Sequence, residues 1–240
     1  MPIENYSKDT DDKSTKNEFN NFFGILFSFN NIENNLIYLD IKLKNCETKS
    51  ECFENINNFK LLRYLHIENI NFDKYFILKL NKLEFLSIIS CKNTKLSEIS
   101  NEKLKELNLR NNEITDINIL EKVNFKELNI LNLSRNRILD FNVLEKVNFK
   151  ELKELDLSSN GISDFNILEK VNFKELKELD LRFNGISDIN ILVKVNFKKL
   201  NKLDLSWNEI SDINILEKVN FKELNLHSNK ISDIKVLEKS

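Results

Sequence analysis

Apolar residues recur along this chain with two superposed periods, a short one of two residues and a long one of 24. The long period is marked by Leu104, Leu128, Leu152, Leu176 and Leu200, each 24 residues after the one before. From each begins a frame reading LxxLxLxxNxIxDxxxLxxVNFxx, with small variations. The last copy is three residues shorter, so that Asn229 follows Asn208 by only 21 residues. Looser copies lie upstream: LEFLSIISC from Leu83, with Cys91 in the asparagine slot, then LLRYLHIENI and LIYLDI, reaching back to Leu36. Spacings there are 26, 21 and 21, and the chain holds about nine copies in all.

Each slot of the frame predicts an element. Alternation in L-x-L marks a short strand with one face buried and the other exposed. The asparagine after it turns the chain, and its side chain can satisfy backbone groups that would otherwise be buried unpaired. Asp116, Asp140, Asp164, Asp188 and Asp212 stand at the expected N-cap of a short helical segment such as INILEKV. Apolar residues at Ile117, Leu120 and Val123 recur at every third position, which suits one or two tight turns facing inward. Asn124 is expected to close the segment in a left-handed conformation. Phe125, Phe149, Phe173, Phe197 and Phe221 then fill the space before the next strand. No unit buries its apolar side alone, so neighbours must stack into one core. The expected architecture is an α/β solenoid, with a parallel sheet on the concave side and short helices on the convex side.

These motifs resemble those of leucine-rich-repeat proteins, strongly from about Leu83 onward and more loosely from Leu36 to Ser90. NxISDIxxL is similar to the short-repeat class found in a regulatory partner of type-1 protein phosphatase and in the internalins. The resemblance implies a curved right-handed coil, protein binding through the concave face, and no catalysis. Repeats of that class typically run to about 22 residues; the 24 here imply more helix on the convex side. The internalins are exported, whereas no export signal is read in this chain. The expected organisation is a disordered polar arm at 1–18, an N-terminal cap segment at 19–35, irregular repeats over 36–103 and regular repeats over 104–240.

Composition narrows the function. Net charge is −2, with 31% charged and 41% hydrophobic residues. That balance argues against a general binder of nucleic acid or anionic membrane, which normally carries a marked basic excess. The opening MPIENYSKDTDDKSTKNEFN lacks the features of a secretory signal, and FFGILFSF is too short to span a bilayer. Cys46, Cys52 and Cys91 have neither metal-ligand spacing nor a framework of pairs, and read as reduced thiols of a cytoplasmic protein. No GxxxxGK[ST], GxSxG or HExxH occurs, and His66 and His227 lack partners at a meaningful spacing. Neither an enzyme nor a bound cofactor is expected.

Candidate binding residues emerge where the copies differ. NILEKVNFKEL barely changes, while the two residues before each asparagine slot do: Arg110-Asn111, Ser134-Arg135, Ser158-Ser159, Arg182-Phe183, Ser206-Trp207 and His227-Ser228. Phe183 and Trp207 should be neighbours on adjoining strands, with Arg182 beside them, a composition typical of interface anchors. Arg110 and Arg135 vary in the same pair of slots. The competing reading is that both rings fold over the sheet or on each other and serve stability alone. Asp156, Asp180 and Asp204 form an acidic row between strand leucines, suited to a basic partner, though a solvated surface or recent duplication explains them as well. Tyr38, Tyr64 and Phe85 form a third column, facing outward only if the early copies are in register. The expected partner is a protein or peptide on the concave face. Expected too is a monomer, with end-to-end self-association as the alternative because the last copy ends with Leu224, Leu226, Ile231, Ile234 and Leu237 in core slots. A phosphatase or ubiquitin-ligase subunit follows only from the resemblance.

Overall fold

The computed structural model describes residues 37–48, 55–72, 80–92 and 101–239. The expected arm and cap segment, and Cys52, lie outside the described residues. Two compact units are present, one of Met1–Asn112 with Val123–Phe125, the other of Glu113–Lys122 with Lys126–Ser240.

In the first unit four parallel strands follow one another in chain order: β1 (Tyr38–Thr48), β2 (Tyr64–Phe72), β3 (Phe85–Ile89) and β4 (Glu106–Asn108). The early copies are in register, since Leu39 pairs with Leu65, Leu65 with Leu86, and Leu86 with Leu107. The second unit repeats the arrangement with β5 (Ile130–Asn132), β6 (Glu154–Asp156), β7 (Glu178–Asp180), β8 (Lys202–Asp204) and β9 (Glu223–Asn225). Three residues suffice for a strand because only the central leucine points inward; Leu131, Leu155, Leu179 and Leu203 are all buried.

The other side of each turn of chain is tighter than expected. Every helical segment in the second unit is a 3-10 turn of four or five residues, such as Asn142–Glu145 and Asn166–Glu169. The two extra residues per repeat therefore do not lengthen a helix. They form a second turn instead, in which the Leu152 N–H donates to the Phe149 carbonyl and the Leu176 N–H to that of Phe173. Phe149 and Phe173 are buried beneath those turns and stack with ring centroids 6.5 Å apart. The apolar spacing of three seen at Ile117 and Leu120 matches the 3-10 repeat, in which residues i and i+3 eclipse.

Two expected caps are corrected. Asp116 stands one residue before the assigned N-cap, Ile117, which makes no side-chain capping bond. Its carboxylate accepts instead from the Asn118 N–H at 2.7 Å, and Asp140, Asp164, Asp188 and Asp212 do the same two residues on. Asn124 and its equivalents are not left-handed. The 3-10 turn ends on a right-handed lysine at Lys122, Lys146, Lys170 and Lys194 and on extended Val219 (φ −129°, ψ 151°) in the next copy, with no left-handed residue after it. The left-handed residue is elsewhere, just after the strand.

The asparagine slot is structural. Asn184 accepts from the N–H groups of Asn160, Gly161 and Ile162, and donates to the carbonyls of Leu157, Leu181 and Arg182. Asn136, Asn160, Asn208 and Asn229 make the same kind of link between successive turns. Cys91 takes over the donor side of the link, its thiol reaching the Ile67 carbonyl of the preceding turn and its own Ile89 carbonyl, while its backbone N–H donates to Asn112. Among the described residues no helix is long and apolar enough to cross a membrane.

Candidate interaction surface

Along strands β4 to β9 the residue between the two inward leucines is an asparagine or aspartate on the solvent side. Asn132 Oδ1 accepts from the Ser134 N–H at 2.9 Å, Asp156 from Ser158 at 2.9 Å, Asp180 from Arg182 at 3.1 Å, and Asp204 from Ser206 at 2.9 Å. Asn108 and Asn225 make the same bond. Such a link two residues on is the ordinary way Asn and Asp start a turn. It also buries part of the variable pair. Ser134, Ser158 and Ser206 are not solvent-facing, as their place in the pair suggests, but buried. The hydroxyls of Ser134 and Ser206 donate to Asn132 and Asp204, both at 2.6 Å.

The next residue is where the chain turns, and it does so through positive φ in copy after copy: Asn69 (61°), Ser90 (55°), Asn111 (59°), Arg135 (54°), Ser159 (55°), Phe183 (54°), Trp207 (58°) and Ser228 (55°). Asn tolerates this backbone, whereas an aromatic residue there is uncommon. Left-handed backbone costs a residue with a Cβ about 1–2 kcal/mol. Trp207 and Phe183 thus occupy a slot that is open in space and demanding in conformation. Both remain about half exposed, at 51% and 48%. Their rings stack with centroids 5.1 Å apart and planes 13° apart, and His227 meets Trp207 edge-on at 6.0 Å. Stacking of this kind returns about 0.5–1.5 kcal/mol, which roughly cancels the backbone cost.

Beside the rings runs a shallow groove of about 270 Å³ on the solvent face of β5 to β8, with Asn132, Asp156, Asp180, Asp204 and Arg182 among its walls. Asp156, Asp180 and Asp204 stand directly opposite one another in register. Burial, reinforced by the flanking Asp156 and Asp204 carboxylates, pushes the Asp180 carboxyl up to about 6, against the backbone N–H and guanidinium of Arg182. Arg182 does not lie over the rings; its Nε sits 2.9 Å from Asp180 Oδ2. Lys202, the other cation in the groove, is 3.1 Å from Glu178.

Of the candidate residues, Phe183 and Trp207 are thus brought together, as are Arg182 with Asp180 and the three aspartates with one another. Arg135 is exposed in the same column as the rings, separated from Phe183 by Ser159. Arg110 is exposed in the first unit, where its backbone N–H donates to Asn108. His227, which the sequence places in the variable pair before Asn229 and reads only as lacking catalytic partners, meets Trp207 edge-on, a neighbour its slot beside Ser206-Trp207 could have signalled.

In the first unit Tyr38, Tyr64 and Phe85 are in register and project to the solvent side of the sheet. Tyr38 and Tyr64 stack at 4.2 Å, and Tyr64 and Phe85 are 6.1 Å apart. Burial chiefly, with the neighbouring Tyr38 hydroxyl and carboxylates, raises the Tyr64 phenol to about 12.

Family models for leucine-rich repeats match residues 102–146, 150–194 and 198–213, the same stretches in which the strand, asparagine link and 3-10 turn recur. Residues 102–213 carry leucine-rich repeats. The solenoid is similar to solved internalins of Listeria monocytogenes str. 4b F2365. Internalin inlF is 20% identical over 94% of this chain and 78% of that one, with a TM-score of 0.53. Internalin C2 is 23% identical over 79% and 80%, with a TM-score of 0.57. A plant ice-binding protein is 24% identical over 82% of this chain and 66% of its own, with a TM-score of 0.58. At these identities the likeness is one of fold. A search of curated proteins returns no match.

Proposed function

We propose that the protein is a non-catalytic interaction module that binds a protein or peptide on the exposed, concave face of its sheet, anchored by Phe183 and Trp207. The observation that carries this reading is the left-handed backbone beneath two half-exposed rings. Serine fills the same slot at Ser159 and Ser228, so the scaffold has no need of an aromatic there. Strained residues that the fold does not require tend to collect at functional sites. Two adjacent aromatics beside a polar groove also match the make-up of interface centres. We place the module in the cytoplasm because Cys46, Cys52 and Cys91 follow no disulfide framework in the sequence; burial raises the Cys91 thiol to about 12.

The test is capture of partners by the intact chain beside a Phe183→Ser, Trp207→Ser variant, read by mass spectrometry, with thermal melting of both. Ring-dependent capture from a variant of nearly unchanged melting temperature supports the reading. A large loss of stability in the variant would assign the rings to the scaffold.

A second reading, end-to-end self-association, draws on the last described turn. Leu224, Leu226 and Ile231 are only half-buried there, and Ile234 and Leu237 are 61% and 48% exposed. Sedimentation across a concentration series decides it: a strict monomer at high concentration removes the idea.

A further inference from the structure

Resting on that reading, we infer that the occupant of this face is a basic peptide segment, with a cationic side chain in the groove over Asp156, Asp180 and Asp204 and an aromatic side chain stacked on the open face of Phe183. The charge in the groove is the first argument. The slot between the strand leucines has one structural duty, to accept the N–H two residues on, and asparagine performs it at Asn108, Asn132 and Asn225 as aspartate does elsewhere. A carboxylate is therefore not required by the turn. Three of them in register repel one another across the sheet. Glu154 and Glu178 add to the same walls, while the groove's two cations are engaged, Arg182 with Asp180 and Lys202 with Glu178. Among the described residues Glu154, Asp156 and Asp204 make no ion pair. The excess negative charge complements a lysine or arginine of a partner.

The aromatic column supplies the second argument. Trp207 covers one face of Phe183. The other face looks along the sheet toward the β6 turn, where Ser159 stands in the equivalent slot and Arg135 follows on the turn beyond. Strands lie about 4.8 Å apart, so the small serine leaves room for one more ring in the stack. A ring seated there would have the Phe183 face on one side and the Arg135 guanidinium on the other, the arrangement of a cation–π contact.

A random heptapeptide phage library, selected on the full chain and counter-selected on the Phe183→Ser, Trp207→Ser variant, tests the inference. Selected peptides are then synthesised and titrated, with the emission of Trp207, the one tryptophan in the chain, as the readout. Expected is a shared pair of one aromatic and one basic residue, with replacement of arginine by citrulline, or lysine by norleucine, weakening binding about tenfold. An Asp156→Asn, Asp204→Asn variant, which keeps the turn bonds, should lose that preference for the charged peptide. Ring-dependent peptides lacking a basic residue, or indifferent to its charge, would overturn the inference while leaving the binding face intact. Failure to select any ring-dependent peptide would overturn both.

Discussion

The two aromatic columns look alike from solvent and differ in the backbone that carries them. Tyr38, Tyr64 and Phe85 lie within or at the start of strands, on extended chain where later copies hold Glu106, Ile130, Glu154 and Lys202. Any side chain can occupy that slot at no conformational cost, and mutual packing is reason enough for the rings. Phe183 and Trp207 lie one turn later in the frame, on left-handed backbone. Exposure and stacking are common to the two columns, whereas backbone conformation is not. The aspartates repeat the contrast. The equivalent slot in the first unit reads Asp40, His66, Ser87 and Asn108, against three consecutive carboxylates in the second.

The largest expected difference is in partner binding. Phe183→Ser with Trp207→Ser should weaken binding by about a hundredfold or more, the scale of removing two interface anchors. Tyr64→Ala should change it by less than about threefold, within the scatter of residues outside an interface centre. Calorimetric titration of a captured partner measures both. Equal losses would merge the two columns into one surface.

Stability should order the columns the other way. Tyr64 has rings on both sides, so Tyr64→Ala forfeits two packing contacts and should cost about 2 kcal/mol in urea unfolding. The Phe183→Ser, Trp207→Ser variant loses one stacked pair over an unchanged left-handed backbone, and should cost only about 0.5–1.5 kcal/mol.

Acid titration separates the two aspartate slots. The Asp180 carboxyl stands at about 6 in the folded protein against 3.8 as the ordinary value. A folded state that holds its proton more tightly is favoured at low pH, so this group's contribution is best below about pH 3.8 and is lost as pH rises toward 6. Asp156, Asp204 and Arg182 face it, with Glu178 and Lys202 on the same walls. Asp180→Asn should therefore stabilise the protein at pH 7.5 by about 1–2 kcal/mol, discounted for the Arg182 pair it breaks, and the gain should vanish near pH 4. Urea midpoints at the two pH values check it.

Much of this was legible beforehand. The 24-residue spacing placed β5 to β8 and the shortened last copy placed β9, and the inward leucines and linking asparagines fell where the frame put them. Pairing of Tyr38, Tyr64 and Phe85 followed once the loose copies proved to be in register. The left-handed slot was not legible. Turn chemistry is read from Gly, Asn and Asp, and this slot holds Arg135, Phe183 and Trp207 beside its serines and asparagines. Asn124, which has the right chemistry, follows a 3-10 turn without taking up positive φ. The aspartates of the ISD motif lie one residue ahead of the assigned cap because the segment they open is too short for an α-helical first turn.

The smallest expected effect bears most directly on the contrast. Asparagine is the residue that tolerates left-handed backbone, and Asn69 and Asn111 already hold the slot. Phe183→Asn should recover a large part of the about 1–2 kcal/mol of backbone cost and forfeit about 0.5–1.5 kcal/mol of stacking on Trp207. The two nearly cancel, leaving a net change within about 0.5 kcal/mol. At Tyr64 the backbone is extended, so Tyr64→Asn has no strain to relieve and loses packing alone. Urea denaturation of the two asparagine variants, run side by side, isolates the backbone term. If Phe183→Asn proves as costly as Tyr64→Asn, the ring at 183 is held by packing stronger than its stack on Trp207, and the strain argument for a binding role falls with it.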